Sequence, residues 1–358
     1  MLYYIFWTKI GNRFVMTTVR DNFVDDRVLT EFVENHSAAG VCHLPIWREI
    51  LREGLGHRSW YLTAWQDEKL RGILPLYRVK SFLFGKFLVS IPAFTYGGIV
   101  ADDDESAGVL WDHAVQLAET LGVKLLEIRQ VEPVNPNWPT RRDKVSYHLA
   151  LGGSAGLVWD ALPSNMRNRS RKGKKKGLRV EHGGVELLDD FHSVFAVNMR
   201  DLGVPVYGKH FFRTILKYVP DAAALTCVYL EDRCIGGGFT LTYKGHCEVP
   251  WSSSLREYRN SYCSNMFLFW EMIARAADGG CRVFDFGRSP RGGPTCEFKK
   301  QWGSKEIDLH WHDWVPPGLE PPTMTTHSAA FRRKVALWKR LPLCLTKLLG
   351  PRIVRGIP

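Results

Sequence analysis

Two stretches of the chain share one rhythm of apolar and polar positions. In the first, SWYLTAW (59–65) and GILPLYRV (72–79) flank the polar turn QDEKLR, a pattern that predicts a hairpin, and the strand-like LVSIPAF follows. The segment DDDESAGVLWDHAVQLAETLG then opens on acids and places Val109, Leu110, Ala114, Leu117, Ala118 and Leu121 at helical spacing before Gly122. It leads into a buried strand, KLLEIRQ (124–130). The order is strand, strand, strand, helix, strand.

The second half repeats it. ALTCVYL (224–230), the turn EDRC, GGGFTLTY (236–243) and HCEVPWSSS come first, then the helix NMFLFWEMIARAADGG, then the strand RVFDFGRS (282–289). The closing units LG-VKLLEIRQ and GG-CRVFDFGRS match class by class: Gly, apolar, basic, apolar, apolar, acid, apolar, with an Arg within reach. This predicts an internal duplication of an α/β (α+β) unit at a period of about 155 residues, each half a mostly antiparallel sheet with helices across it. VPPGLEPP, after Trp314, reads as a Pro-rich linker to a basic tail.

Composition agrees with a globular protein: 358 residues, 45% hydrophobic and 24% charged. No apolar run approaches the roughly 20 residues of a membrane-spanning helix. LYYIFW (2–7) is too short and lacks the cleavage site of a secretory signal, while Met16 opens a more ordinary polar start. The eight cysteines show no C-x-x-C spacing, so neither a zinc site nor a disulfide framework is expected, and a reduced cytoplasm is the expected home. The net charge of +11 is concentrated. SNMRNRSRKGKKKGLR (164–179) carries eight Lys or Arg and no acid, and so does the tail from Thr323 to Pro358.

In the basic run, Arg167, Arg171, Lys172, Lys174 and Lys175 fall on one broad helical face, with Ser164 placed to cap the helix and Gly177 to stop it. Such a face suits phosphate oxygens, and equally a solvated basic surface. VPWSSSLREY (249–258) closes a strand with Ser252, Ser253 and Ser254 beside Trp251. Those hydroxyls suit either substrate positioning or capping, and no G-x-S-x-G elbow marks a serine nucleophile. FDFGRSPRGGPTCEFKKQWG (284–303) is the strongest constellation. A strand delivers Asp285 between two aromatics, breaks at Gly287, and is followed by Arg288, Arg291, Lys299, Gln301 and Trp302. At a strand end, where α/β folds place sites, Lys299 and Arg288 suit a developing oxyanion and Asp285 suits a base. Alternatively, Asp285 pairs with an arginine and Gly287 serves a turn. His43, His57 and His246 lack metal-ligand spacing and read as core or surface histidines. GGG at 236–238 is a weak match to a phosphate loop, since no helix with Lys-Ser/Thr follows it, and reads rather as a strand bulge. The tail places Phe331, Val335, Trp338, Leu341, Leu345 and Leu348 near one face, with Arg332, Arg333, Lys339 and Arg340 off it and Pro342 dividing it. It suits an anionic membrane surface through 329–349, or docking on the protein itself.

WREILREGLGHRSWYLTA, GILPLYRVKSFLFGKFLVSIPAFTYGG, NMRNRSRKGKKKGL, NMRDLGVPVYGKHFF, PWSSSLREY and FDFGRSPRGGPTCEFKKQWG together resemble the Fem-type acyltransferases. They are most similar to the FemAB-related proteins of exosortase/PEP-CTERM exopolysaccharide systems. The resemblance implies two tandem GNAT-like domains, 17–160 and 161–314, the second including the basic segment 164–179. Residues 1–16 would form an N-terminal extension and 315–358 the linker and tail. It implies acyl or aminoacyl transfer to an amine or hydroxyl of an exopolysaccharide- or peptidoglycan-related envelope precursor. That precursor is nucleotide- or lipid-linked, no cofactor is tightly bound, and the donor is aminoacyl-tRNA or acyl-CoA. In this picture Asp285, Lys299 and Arg288 are catalytic. Arg167, Arg171, Lys172, Lys175, Trp251, Ser252, Ser253, Tyr258, Asn265, Gln301 and Trp302 bind substrate. Work is placed in the cytoplasm, at the inner membrane face. The chain departs from the family in a short helical arm, and in LREYRNSYCS where ordinary GNAT enzymes have Arg/Gln-x-x-Gly-x-Gly/Ala for coenzyme A. A non-catalytic binder of anionic polymer or RNA is the competing expectation.

Overall fold

The computed structural model describes residues 4–10, 13–21, 24–81, 85–320 and 329–358. It divides into two compact units, Met1–Arg142 with Asp308–Met324 and Arg355–Pro358, and Asp143–Ile307 with Thr325–Val354. Each unit has its own sheet.

In the first sheet the strands run in the order Tyr4–Ile10, Arg13–Asp21, Arg58–Gln66, Lys69–Ser81, Gly85–Val89, Leu125–Gln130, His310–Trp314 and Thr140–Arg141. In the second they run Leu178–Gly183, Ala223–Leu230, Arg233–Tyr243, His246–Ser254, Val283–Asp285, Lys144–Ala150 and Ser289–Pro290. Both sequence hairpins are present, at Arg58–Gln66 with Lys69–Ser81 and at Ala223–Leu230 with Arg233–Tyr243. The expected helices form as Asp104–Leu121 and Ser264–Asp278. Asp103 caps the first by accepting from the Ser106 N–H at 2.7 Å.

The duplication is visible in the ladders. Each sheet has a parallel pair, Gly85–Val89 with Leu125–Gln130 and His246–Ser254 with Val283–Asp285. Its second strand is flanked on the other side by an antiparallel neighbour. In that frame Glu127 and Asp285 are equivalent: Val89 and Glu248 lie beside them on the parallel side, Asp313 and His148 on the antiparallel side.

The antiparallel neighbours come from unexpected places. Lys144–Ala150, inside the expected domain 17–160, hydrogen-bonds in the second sheet, and His310–Trp314, inside the expected domain 161–314, hydrogen-bonds in the first. A contiguous division at residue 160 therefore does not describe the units. A central strand position leaves backbone N–H and C=O groups on both edges to satisfy, and here a distant segment satisfies them. The segment expected as an extension likewise supplies the strand Tyr4–Ile10, paired with Arg13–Asp21.

The first core packs Leu110, Ala114 and Ala118 of the helix against Leu62, Leu74 and Leu126 of the sheet. In the second unit, Phe191, Phe211, Phe212, Phe239 and Trp251 form a continuous aromatic cluster with centroids between 5.1 and 6.1 Å for the pairs that touch. The helix Ser264–Asp278 buries Phe267, Leu268 and Met272. A Cβ on Gly238 would overlap the Met272 sulfur, so the triple glycine lets this helix approach the strand. The register slips close by, opposite Val228 and Tyr229 and again at Phe239, which fits the bulge expected there.

Glu127 is 4% exposed and is neutralised twice. Arg129 donates through Nε at 2.8 Å and approaches through Nη2 at 2.7 Å, while Arg141 reaches the other oxygen. Arg129 also donates to the Ile91 and Phe94 carbonyls. Burial works against the Glu127 charge, yet the two guanidiniums hold its carboxyl below the usual range. Arg129→Met leaves a buried carboxylate half-compensated and two carbonyls without their donor. It should cost about 3–5 kcal/mol, read as a lowered urea midpoint; a loss under about 1 kcal/mol would show that Arg141 suffices alone.

Candidate active site

The site is built where the strand Val283–Asp285 ends. Phe284 and Phe286 point into the core, fully or nearly fully buried, and the alternation places Asp285 on the other face of the strand at 0% exposure. The chain then turns at Gly287, whose φ of +71° and whose approach to the Val249 carbonyl leave no room for a side chain; a Cβ there would lie 2.7 Å from that oxygen.

The Asp285 carboxylate is held on both oxygens. Oδ1 accepts from the Ser146 hydroxyl at 2.5 Å and from the Gly287 N–H at 2.8 Å. Oδ2 faces His148 Nε2 and His246 Nε2, each at 3.3 Å. The two imidazole rings stand edge to face with centroids 5.2 Å apart. Burial alone would raise the carboxyl's pKa, but the histidines' hydrogen bonds and charge outweigh it and hold the group far below the usual range. Burial likewise opposes charge on His246, and Asp285 reverses this, so the imidazole's pKa is raised. Asp285 is thus a buried anchor, not a base open to substrate. The groups at the surface of the cluster are His148 and His246, with side chains 22% and 37% exposed.

Lys299 lies in the short helix Pro294–Lys300, 6% exposed. Its ammonium donates to the Gly287 carbonyl and, at 3.3 Å, to that of Arg288, which leaves one of its three N–H groups for another acceptor. Burial lowers its pKa to about 8, with Asp285 and Glu248 opposing the shift. Glu248 is 3% exposed and lies beside Asp285 in register. Tyr147, on the strand of His148, places its ring 5.9 Å from the Lys299 nitrogen and donates to Glu306 at 2.5 Å. Arg291 donates to the same Glu306 at 3.1 Å. Arg288 is half-buried beside the turn, close enough to Lys299 for its charge to act on it. Asp285, Lys299 and Arg288 are therefore brought together.

The basic run is a helix, Ser164–Lys175, with Pro163 as its N-cap in place of the expected Ser164. Met166, Ser170 and Gly173 face inward, and Gly173 is close enough to Phe267 that a Cβ would collide at 2.8 Å. Arg171, Lys172 and Lys175 stand exposed on the outer face and Arg167 half-exposed. Arg171 stacks over Trp159 at 5.0 Å. The helix meets the Lys299 segment through Arg169, which donates to Gln301 Oε1 at 3.1 Å.

The remaining expected residues serve other ends. Trp251 is packed into the aromatic cluster, and Trp302, 1% exposed, into a second one with Phe269, Phe286 and Phe298. Neither ring offers a binding face. Ser253 accepts from Asn198 at 3.0 Å, and Ser254 approaches Asn265 at 3.4 Å and accepts from Arg259 at 2.9 Å. The Ser254–Asn265 contact ties the strand end to the start of the helix Ser264–Asp278, and the Asn198 contact ties it to the helix Leu188–Leu202. Ser252 is half-buried. Tyr258 accepts from Arg233 at 2.9 Å and packs on Tyr262. Of the histidines, His43 and His57 are buried as expected, whereas His246 belongs to the Asp285 cluster. His148, Ser146, Tyr147 and Glu306 were not expected at all. The one sequence signal for the first three was the strand pattern of Lys144–Ala150; Glu306 lies on the separate strand Lys305–Asp308.

Mixed sheets flanked by helices, duplicated and each with a parallel pair of strands, make up a tandem GNAT-like fold. Residues 163–300 match the family model of the acetyltransferase (GNAT) domain. Among solved structures the chain is similar to FemX, with TM-score 0.62 and 15% identity over 83% of this chain and 97% of that one. It is also similar to the C-terminal domain of a putative lysylphosphatidylglycerol synthetase from Agrobacterium fabrum, with TM-score 0.55 and 13% identity over 82% and 91%. L-PGS from Bacillus licheniformis matches with TM-score 0.54 and 12% identity over 92% and 97%. No curated protein matches by sequence.

The lysine makes a direct prediction. With a folded pKa near 8 against 10.5 for the ordinary side chain, Lys299 keeps its proton at pH 7 and sheds it well before the other lysines. Because the unfolded chain then holds the extra proton, this residue adds stability as pH rises from about 8 to 10.5. A lysine-labelled NMR titration should show one side chain turning over near pH 8 and missing in Lys299→Arg; uniform titration near 10.5 would contradict the burial argument.

Proposed function

We propose that the chain is an acyl- or aminoacyltransferase acting on an amine or hydroxyl of a cell-envelope precursor, exopolysaccharide- or peptidoglycan-related. The observation that carries this reading is the Lys299 ammonium, buried at the end of a GNAT domain and braced by two carbonyls with one N–H to spare. A cation fixed in a poorly solvated site stabilises negative charge appearing on a carbonyl oxygen far better than a mobile surface lysine would. The acceptor's nitrogen or oxygen attacks the donor's acyl carbon, the carbonyl oxygen becomes an oxyanion against Lys299, and the acceptor's proton passes to the cluster anchored by Asp285. Collapse then expels the donor's leaving group with the acyl group on the acceptor. Arg288 adds positive charge at the same turn.

The outer face of Ser164–Lys175 supplies the phosphate contacts, with Arg167, Arg171, Lys172 and Lys175 reading a nucleotide- or lipid-linked acceptor by charge and guanidinium geometry. The donor is an activated acyl or aminoacyl ester, from acyl-CoA or aminoacyl-tRNA. The name lysylphosphatidylglycerol synthetase, borne by one structural neighbour, describes an aminoacylated envelope lipid and supports an acceptor of that kind.

Work at the inner membrane face is supported by the tail. Among the described residues no helix is long and apolar enough to cross a membrane. Helices Ala329–Arg340 and Leu343–Val354 are separated at Pro342, as expected. They pack inward through Val335, against Gly203, and through Gly350, against Val206. Outward they leave Leu337, Leu345, Leu348 and Leu349 between 38% and 66% exposed, among Arg333, Lys339, Arg340 and Arg352. One face of the tail thus docks on its own unit, and the outward leucines and cations support the reading of contact with anionic lipid.

Lys299→Met should lower transfer about 10²–10³-fold in kcat with a small change in KM, as loss of one oxyanion contact does. Asp285→Asn should do the same by releasing both imidazoles. Arg167→Ala/Arg171→Ala should instead raise KM for a phosphate-linked acceptor. Radiolabelled transfer from acyl-CoA and from aminoacyl-tRNA to lipid-linked precursors measures all three; unchanged rates in Lys299→Met and Asp285→Asn would remove the reading, and co-purifying RNA with no turnover would favour a non-catalytic binder. In flotation with phosphatidylglycerol vesicles the chain should rise with the lipid, and Leu345→Ser/Leu348→Ser should abolish this without altering the circular dichroism spectrum. Equal flotation with phosphatidylcholine would count against an electrostatic component.

A further inference from the structure

We propose that His148, His246 and Asp285 form a binding site for one divalent transition-metal ion, Zn²⁺ or an ion of similar preference. The donor set is two imidazole nitrogens and one carboxylate oxygen, the combination used by catalytic zinc sites and by other mononuclear sites with open positions. All three donor atoms lie within 4.8 Å of one another.

The distances favour an ion over a shared proton. Charge-assisted hydrogen bonds between imidazolium and carboxylate are about 2.7–2.9 Å long. Both histidine nitrogens instead stand 3.3 Å from the same oxygen, Asp285 Oδ2. Ligands about 2.0–2.1 Å from a tetrahedral ion are separated by about 3.3–3.4 Å. The two nitrogen-to-oxygen separations are thus those of neighbouring corners around a metal.

The surroundings are those of a ligand set held in place. Oδ1 of Asp285 is occupied by the Ser146 hydroxyl and the Gly287 N–H, which fixes the carboxylate and presents Oδ2 alone, as a one-oxygen ligand. His246 is 37% exposed and His148 22%, so the site opens outward where an ion enters and where a fourth position would face solvent or substrate. Glu248, buried and beside Asp285 in register, places a second carboxyl group in the neighbourhood.

The duplication supplies an internal control. Glu127 occupies the equivalent place in the first unit, and there two arginines bring permanent positive charge to the buried carboxylate. In the second unit those guanidiniums are replaced by two imidazoles, which unlike guanidiniums have a ring lone pair that can coordinate an ion.

Bound there, a divalent cation would supply Lewis acidity and electrostatic stabilisation in place of proton uptake by the two imidazoles. The ion site stands on its own geometry, so its test uses no turnover assay and is separate from that of the transferase reading. The full chain, free of affinity tag and dialysed against EDTA, is titrated with Co²⁺ and with Zn²⁺, following visible absorption and heat. The expected result is one ion per chain, with Co²⁺ bands of a nitrogen and oxygen environment and no thiolate charge-transfer band. His148→Ala and His246→Ala should each weaken binding more than 100-fold, and Ser146→Ala, which only loosens Asp285, about 10–100-fold. Failure of the wild-type chain to take up either ion, a thiolate band, or undiminished binding in His148→Ala/His246→Ala would overturn the proposal.

Discussion

A carboxylate with no exposed surface must be neutralised by whatever the fold places around it, and the second unit is arranged around meeting that demand at Asp285. The residue sits on a strand paired on both sides, at the last position before the chain turns. Burying it there fixes Ser146, His148, His246 and the Gly287 N–H at one point. Gly287 in turn gives Lys299 one of its two anchoring carbonyls. The ammonium is held because its hydrogen bonds run to backbone whose path is set by the carboxylate two residues earlier. Each element of the site is thus fixed by the same local solution to an electrostatic problem.

The comparison of the two units shows which part of that solution is specific. The topology around Glu127 and Asp285 is the same, and both carboxyls sit below the usual range despite burial. Glu127 achieves this with guanidiniums, which stay charged at any pH a protein meets and have no lone pair to offer. A network of that kind locks a sheet and can do little else. Asp285 achieves it with imidazoles, which can take up or release a proton or coordinate an ion near neutral pH. Chemistry is supported in the unit whose buried charge is balanced by adjustable partners.

How much of this was legible in the chain depends on sequence separation. The hairpins, the two long helices and the duplication were readable because period, turn residues and caps are local signals. FDFGRSPRGGPTCEFKKQWG showed Asp285, Arg288 and Lys299 as a group because strand, turn and short helix are contiguous, and the structure does bring them together. The Asp285–His148 pair could not be read the same way. His148 lies 137 positions earlier, in what the repeat marks as the other half, and it arrives only because Lys144–Ala150 pairs across that boundary. His246 is 39 positions away with no spacing that marks a ligand. The aromatic residues mislead for the opposite reason. Trp251 and Trp302 adjoin polar motifs in sequence, but strand alternation and the short helix turn them into the core.

The strand exchange also bears on how the site holds its shape. Asp285 takes two of its partners, Ser146 and His148, from a segment that belongs in sequence to the first half but folds in the second sheet. That segment, Lys144–Ala150, is hydrogen-bonded on one edge to Val283–Asp285 and pairs also with Ser289–Pro290. The chain therefore crosses the turn at Gly287 with the same strand beside it before and after. A turn clamped in this way has little freedom to reorient its carbonyls, and those of Gly287 and Arg288 are the ones that hold the Lys299 ammonium. Preorganisation of that kind is what allows a single charge to act on a transition state without first paying to reorganise its surroundings. A long-range pairing in the second unit and its most localised chemistry thus depend on the same few backbone hydrogen bonds.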